Sequence, residues 1–341
     1  MKRGILLINL GTPDAPDTAS VRRYLREFLA DRRVISLPVV LRYLILYAFI
    51  LPFRPRKSAH AYQAIWTKEG SPLLVHSRNL VVKLQTLLGN EYQVVLGMRY
   101  GKPSLVDAVK QLSDCEHLTI LPLYPQYASA ATGSSIEETL KLLAPKTIQP
   151  SLTIIRDFHR HPAFINAQSA IIKPYLDGHD FLLFSFHGIP QQHLKDAGCQ
   201  TMCRQSCPSS QNNPVSCYRA QCFTTSELLA QTLGLTSEQY GVAFQSRLGK
   251  TPWITPYTDN VLPELVDRGV KRLAIACPSF VADCLETLEE IGMRAQQQWK
   301  SLGGETLTLI PCVNDNPQWI KGILDICGIP AIKTSESPWV S

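Results

Sequence analysis

The sequence predicts an α/β protein of two similar domains, each a doubly wound parallel sheet flanked by helices, with a cleft between them. Three observations lead there. Short apolar runs alternate with helix-periodic stretches along almost the whole chain. Several runs stop at Gly and Pro, as buried parallel strands do where they reach the ligand-binding edge of an open sheet. Three blocks of the first half also return in the second in the same order, two of them at the same offset, which is the mark of a duplication. Ile8-Asn9-Leu10-Gly11-Thr12-Pro13 matches Ser185-Phe186-His187-Gly188-Ile189-Pro190, Met98-Arg99-Tyr100-Gly101 matches Ser246-Arg247-Leu248-Gly249, and Ile136-Glu137-Glu138-Thr139-Leu140 matches Cys284-Leu285-Glu286-Thr287-Leu288.

The size agrees: 341 residues, 45% hydrophobic and 18% charged, suit two ordinary globular domains better than one small core. A net charge of +6 with scattered Lys and Arg argues against a nucleic-acid protein and favours an acidic small molecule or an anionic membrane surface. The start, Met1-Lys2-Arg3-Gly4 followed by Ile5 to Leu10, runs into Gly11-Thr12-Pro13-Asp14 without a small-residue cleavage site, so it reads as a first strand and not as a signal peptide.

In chain order, strand Ile5 to Leu10 leads to a helix over Thr18 to Leu29, where Ser20 can cap and Val21, Tyr24, Leu25 and Phe28 recur at helical spacing. The apolar tract from Val34 to Phe53 is interrupted by Pro38 and Arg42 and ends at Pro52, too short and broken to span a bilayer. It is either a lid over an apolar cleft, the preferred reading, or a face resting on a membrane through residues 37–53, with Arg54, Arg56 and Lys57 as interfacial charge. Helix Asn79 to Leu88, strand Gln93 to Leu96, helix Ser104 to Leu112, strand Leu118 to Leu121, helix Ile136 to Leu143 and an extended Thr153 to Ile155 complete the first half. In the second half, strand Leu182 to Phe186 delivers His187 to a sheet edge, Thr224 to Leu233 is helical, and strand Arg272 to Ala276 feeds another helix. Residues beyond Pro330 read as a tail without structure.

Two features carry chemistry. A strand-end histidine such as His187 is often just a hydrogen-bonded structural group, yet it also sits where a cleft would place a base. After Cys277-Pro278-Ser279, the residues Asp283, Glu286 and Glu290 recur at spacings of three and four, so the sequence predicts one acidic helix face. Acidic residues favour any helix N-terminus, but three aligned carboxylates repel one another, and a row facing a cleft would bind a cation or pass protons. Of ten cysteines, five are scattered and five crowd between 199 and 222, which fits a reduced, cytosolic protein with one local metal or cluster site better than a disulfide framework.

The run Leu182 to Pro190 resembles the signature of the ferrochelatase family, enzymes that insert Fe²⁺ into protoporphyrin. The resemblance extends over ordered blocks: Leu10-Gly11-Thr12-Pro13, Tyr62-Gln63-Ala64-Ile65-Trp66 with Gly70-Ser71-Pro72-Leu73, Met98-Arg99-Tyr100-Gly101, Leu123-Tyr124-Pro125-Gln126-Tyr127 with Thr132-Gly133-Ser134, and Asp283 to Leu288. It implies two Rossmann-like domains, at residues 1–155 and 156–311, enclosing a porphyrin cleft, with 312–330 returning to the first. It implies His187 and Glu286 as the catalytic, metal-handling pair, with Asp283 and Glu290 in the same acidic row. Where many relatives have a histidine two residues before the glutamate, this chain has Cys284.

The resemblance also implies protoporphyrin IX and Fe²⁺ as substrates, with Leu10, Ile189, Tyr100 and Tyr124 at the ring and Arg32, Arg33 or Arg99 at the propionates. Coproporphyrin chelation, cobalt chelation and a non-catalytic porphyrin or metal carrier are the alternatives. Some members carry a [2Fe-2S] cluster, and Cys199, Cys203, Cys207 and Cys217 are its candidate ligands here, with Zn²⁺ on the same thiols as the second choice. The residue types suit the reaction. Imidazole titrates near neutrality and can take pyrrole protons, and imidazole with carboxylate holds Fe²⁺ loosely enough to release it.

Overall fold

The computed structural model describes residues 2–199, 217–249 and 251–330. The first half runs β1 (Arg3–Thr12), α1 (Thr18–Ala30), α2 (Val39–Ile45), α3 (Leu51–Ile65), α4 (Pro72–Leu88), β2 (Tyr92–Gly101), α5 (Leu105–Gln111), β3 (His117–Pro122), α6 (Ser134–Leu143) and β4 (Ser151–Ile154). The second runs α7 (Pro162–Ile172), β5 (Phe181–His187), α8 (Gln191–Asp196), α9 (Tyr218–Leu233), β6 (Tyr240–Gln245), α10 (Thr258–Asp267), β7 (Arg272–Ala276), a π-helix (Glu286–Ala295), α11 (Gln296–Ser301), β8 (Thr306–Leu309) and α12 (Pro317–Ile326).

Each half forms a four-stranded sheet, ordered β2-β1-β3-β4 and β6-β5-β7-β8, with every pairing parallel. The identical order is the duplicated topology read from the repeated blocks. Strand order reverses beside β1 and beside β5, so the carboxyl ends of these two strands mark the switch points where open sheets bind ligands. Leu10 and His187, equivalent in the repeat, stand near those two ends.

Both central strands are apolar runs because helices cover both faces. Ile5, Leu6, Leu7 and Ile8 are fully buried, as are Leu183, Phe184 and Phe186. One hydrophobic cluster takes residues from β1, α4, β2, α7, β5, α9 and α12, so the core is continuous across the two sheets. Within it Trp319 of α12 is fully buried and packs on the rings of Phe158 and Phe164, with centroids 5.6 and 5.9 Å away. Gly322 lets α12 press on α7, since a Cβ there would meet Ala163 at 3.3 Å. Just before α12, Asp315 pairs with Lys83 of α4, so residues 312–330 touch both halves.

Three elements depart from the sequence reading. Helix α1 is capped by Asp17, whose carboxylate accepts from the Ala19 and Ser20 amides, so Ser20 is not the cap. Helix α4 begins at Pro72, where proline costs no hydrogen bond, and is therefore longer than the stretch from Asn79. The tract expected to stop at Pro52 continues as one helical rod: a π-helical turn, Leu46–Ile50, joins α2 to α3, and Pro55 lies inside α3. Its wide turn lies just ahead of Pro52, where a regular ladder would lose a donor and meet the proline ring.

Candidate active site

His187 is the last residue of β5, and its backbone is pinned from three sides. Its N–H donates to Ser279 Oγ at 2.9 Å, its carbonyl accepts the Tyr218 hydroxyl at 2.8 Å, and it pairs in register with Gln245. The ring is held between Trp253 and Phe280, with centroids 6.3 and 6.1 Å away. Its Nδ1 lies 2.5 Å from the Gly188 carbonyl. A carbonyl can only accept, so this contact places the proton on Nδ1 and leaves Nε2 as the lone-pair nitrogen.

Glu286 opens the π-helix, and its carbonyl accepts the Gln245 amide at 2.7 Å. Its charge reaches several buried neighbours. Burial pushes the Tyr24 and Tyr62 hydroxyls and the Cys284 thiol far up, and the nearby Glu286 adds to each effect. Burial pulls the Arg54 guanidinium down from its usual range, and Glu286 partly offsets this. Glu290 lies one turn further along. Burial raises its carboxyl, against the Ser246 hydroxyl at 2.6 Å, the Ser246 amide at 2.8 Å and, when protonated, the His187 imidazole, all of which favour its charge.

The expected three-carboxylate row is not formed. Asp283 precedes the π-helix and is 6% exposed, and its carboxylate accepts from Asn314 Nδ2, the Thr287 hydroxyl and the Cys312 amide at 2.8, 3.1 and 3.3 Å. These bonds turn it into the protein, leaving Glu286 as the carboxylate at the cleft.

That cleft is an open hollow with about 1050 Å³ of empty space, the solvent at its mouth included. His187 and Glu286 both line it, with the ends of both central strands around them. Leu10, Tyr124 and Ile189, the residues expected at the ring, line it. Arg32, Arg99 and Tyr100 do not, because neighbours claim them. Arg99 donates to Asp31 at 2.8 Å and to Ser134 at 2.7 Å, Tyr100 donates to the same Asp31 carboxylate at 2.8 Å, and Arg32 pairs with Glu137 at 2.8 Å. Arg33 is likewise bound to Glu137 and Ser129.

Residues not singled out from the sequence fill the gap. Tyr24, Tyr62, Ser71 and Thr12 line the hollow as uncharged hydroxyls, with Thr12 donating to Ser71 at 2.8 Å, while Arg54 lies within electrostatic reach of Tyr24, Tyr62 and Glu286. The only sequence signal for Arg54 was its place behind the apolar tract, which suggested an outward charge. Of the four candidate cluster ligands, Cys199 packs against the main core and Cys217 caps α9, its sulfur 3.5 Å from the Ala220 amide. Cys203 and Cys207 lie outside the described residues, as does the chain beyond Pro330. Among the described residues no group of three or more His, Cys, Asp or Glu is arranged to hold a metal ion.

Two parallel sheets of one topology, meeting at a hollow that carries an imidazole and a carboxylate, define a chelatase-type α/β protein. Solved chelatases share that architecture: SirB from Bacillus subtilis with Fe³⁺ superposes with a TM-score of 0.53 at 12% identity, over 95% of this chain and 94% of that one. The sirohydrochlorin chelatase SirB from Bacillus subtilis subspecies spizizenii, in complex with cobalt, gives 0.53 at 10% identity, over 96% and 94%. The chain belongs to the ferrochelatase family, whose model matches residues 2–328. It is 59% identical over 326 residues to a ferrochelatase of Legionella pneumophila (strain Lens), covering 96% of this chain and 98% of that protein. It is 50% identical over 329 residues to one of Coxiella burnetii (strain Dugway 5J108-111), covering 94% and 92%. It is a lyase of haem synthesis that inserts Fe²⁺ into protoporphyrin.

Proposed function

We propose that His187 and Glu286 carry the chelation: His187 Nε2 takes the two pyrrole protons of protoporphyrin IX one after the other, giving each up to solvent, and Glu286 holds the incoming Fe²⁺. The reaction exchanges two N–H protons for one divalent cation, so it needs a base and a weak cation ligand at one hollow. The observation that carries the reading is that both side chains line the same hollow, the imidazole with its Nδ1 proton already committed to Gly188. Imidazole and carboxylate grip Fe²⁺ more weakly than a thiolate set, which suits transfer over storage.

The apolar ring rests on Leu10, Leu123, Ile189 and Leu285, and its propionates meet Arg54 with the Tyr62 and Ser71 hydroxyls. Burial keeps the Tyr62 hydroxyl protonated and therefore a donor to a carboxylate. Anaerobic incubation of wild type and Glu286→Gln with Fe²⁺ and protoporphyrin, read by haem absorbance, tests the assignment; an unimpaired variant sinks it.

The [2Fe-2S] cluster belongs to the same reading, on Cys199, Cys203, Cys207 and Cys217, with Zn²⁺ as the other occupant. What supports it is four thiols in a polar stretch with too little apolar material to fold alone, with Cys217 held at the N-terminus of α9. Such a cluster would supply redox-active iron, and no chelation step runs through it. Iron and sulfide analysis of anaerobically purified protein decides it.

The protein works in the cytoplasm and rests on the inner face of the membrane. No helix among the described residues is long and apolar enough to cross one. The α2–α3 rod, however, exposes Val40 (78%), Leu44, Tyr47, Phe49 and Phe53 (74%), with Arg56 and Lys57 exposed beside them. Apolar anchors flanked by cations suit an anionic lipid interface.

A further inference from the structure

Gln245 is 3% exposed, does not line the hollow, and is bonded to the carriers of both chemical groups. Its carbonyl accepts the Gly188 N–H at 2.8 Å, directly after His187. Its side-chain Nε2 donates to the Glu286 carbonyl at 2.7 Å, and its Oε1 accepts the Ser185 hydroxyl at 2.7 Å. The next residue, Ser246, has φ 69°, a left-handed conformation uncommon for a residue with a side chain. In that conformation both its amide and its hydroxyl reach the Glu290 carboxylate, at 2.8 and 2.6 Å.

We propose that Gln245 and Ser246 form a two-residue strut that sets the Glu286 carboxylate against the His187 imidazole. The inference rests on the roles given to those two groups above. Both strut residues are positioning residues.

The chemistry of a primary amide explains why glutamine stands there. One end of the side chain offers a donor and an acceptor, so it can tie strand β5, through Ser185, to the first carbonyl of the π-helix. Leucine fills the same space with neither group, and glutamate keeps the acceptor but loses the donor to Glu286. The helix needs such an anchor because i→i+5 turns are rare and poorly self-supporting. The Ser246 bonds to Glu290 hold the next turn, so the strut grips the helix at two successive levels. The strained φ is offset by two hydrogen bonds to a carboxylate, each stronger than a neutral pair.

The test uses the full chain with Fe²⁺ and protoporphyrin under anaerobic conditions. Gln245→Leu should lower kcat/KM for Fe²⁺ by about tenfold to a hundredfold, the cost of a small misplacement. Porphyrin affinity, read by quenching of its fluorescence, should stay within about twofold, and Gln245→Leu/Glu286→Gln should be no slower than Glu286→Gln, since residues acting as one unit do not add. Ser246→Gly and Ser246→Ala both keep the amide and lose the hydroxyl, but only glycine relieves the strain, so Ser246→Gly should retain more activity than Ser246→Ala. If Gln245→Leu does not fold, Gln245→Glu provides the same comparison.

Wild-type kcat/KM for Fe²⁺ in Gln245→Leu, a parallel loss of porphyrin affinity, or losses that multiply in the double variant would each overturn the strut. A Glu286→Gln variant as fast as wild type would instead remove the underlying assignment, and the strut with it.

Discussion

Asp283 and Asn314 clasp each other: the Asp283 amide donates to Asn314 Oδ1 at 2.8 Å, and Asn314 Nδ2 donates back to Asp283 Oδ2 at 2.8 Å. Asn314 adopts φ 46° to do so, in the left-handed region that asparagine tolerates better than most residues. The clasp ties the start of the C-terminal segment to the loop that launches the π-helix. An acidic residue expected at the metal thus secures the backbone beneath it.

Asp283→Ala should therefore destabilise the fold by about 2 to 4 kcal/mol, because it leaves several buried donors unpaired. Denaturant unfolding measures it. A variant as stable as wild type but unable to use Fe²⁺ would return Asp283 to the metal.

His187→Ala should lower kcat by about a hundredfold to ten-thousandfold, the usual worth of a positioned base, with porphyrin affinity nearly unchanged. Turnover and fluorescence titration, run together, separate the two effects.

Arg54→Ala and Arg99→Ala should fail in different ways. Arg54→Ala should raise KM for protoporphyrin by about tenfold, one charge-assisted contact, at normal stability. Arg99→Ala should cost about 3 kcal/mol of stability, since it strips a buried carboxylate of its cation, and leave KM alone. Burial pushes the Asp31 carboxyl up, but bonds from Ser134, the Arg33 amide and Tyr100, with the Arg99 charge, hold it below its ordinary value.

Glu137 gives a prediction on acidity. The Lys141 ammonium and Arg33 guanidinium bring its carboxyl down from 4.5 to about 2. A depressed folded-state value means the unfolded chain takes up the proton first as the pH falls. The stabilisation is complete above 4.5 and is lost on acidification towards 2. Glu137→Gln should flatten the acid limb of the stability profile over that window, followed by unfolding at a series of pH values.

Phe49→Asp with Phe53→Asp should weaken cosedimentation with anionic vesicles by about tenfold or more, as two apolar anchors are lost, and leave turnover in detergent-free solution intact. Undiminished binding would move the contact elsewhere.

Much of this was legible in the sequence. Apolar runs with abrupt Gly-Pro ends located β1 and β5, and the repeated blocks gave two sheets of one topology, because strand burial and sheet edges impose local patterns that a linear text preserves. His187 and Glu286 stood out by position, at a strand end and on a helix face, and Leu10, Tyr124 and Ile189, named only after the family resemblance, also lie near strand ends and line the same hollow. What tertiary structure decided was where long polar side chains turn. Arg99 and Arg54 look alike on paper, but Asp31 claims the first, while the second, on a rod that runs on through Pro52, lies within electrostatic reach of Tyr24, Tyr62 and Glu286. Asp283 and Glu286 are three residues apart, yet the helix begins late and with a wide turn, so one carboxylate is tied into the C-terminal segment and the other lines the hollow. Hydrogen-bond partners far away in the chain, Asn314 for one and Gln245 for the other, made that choice, and no local periodicity encodes them.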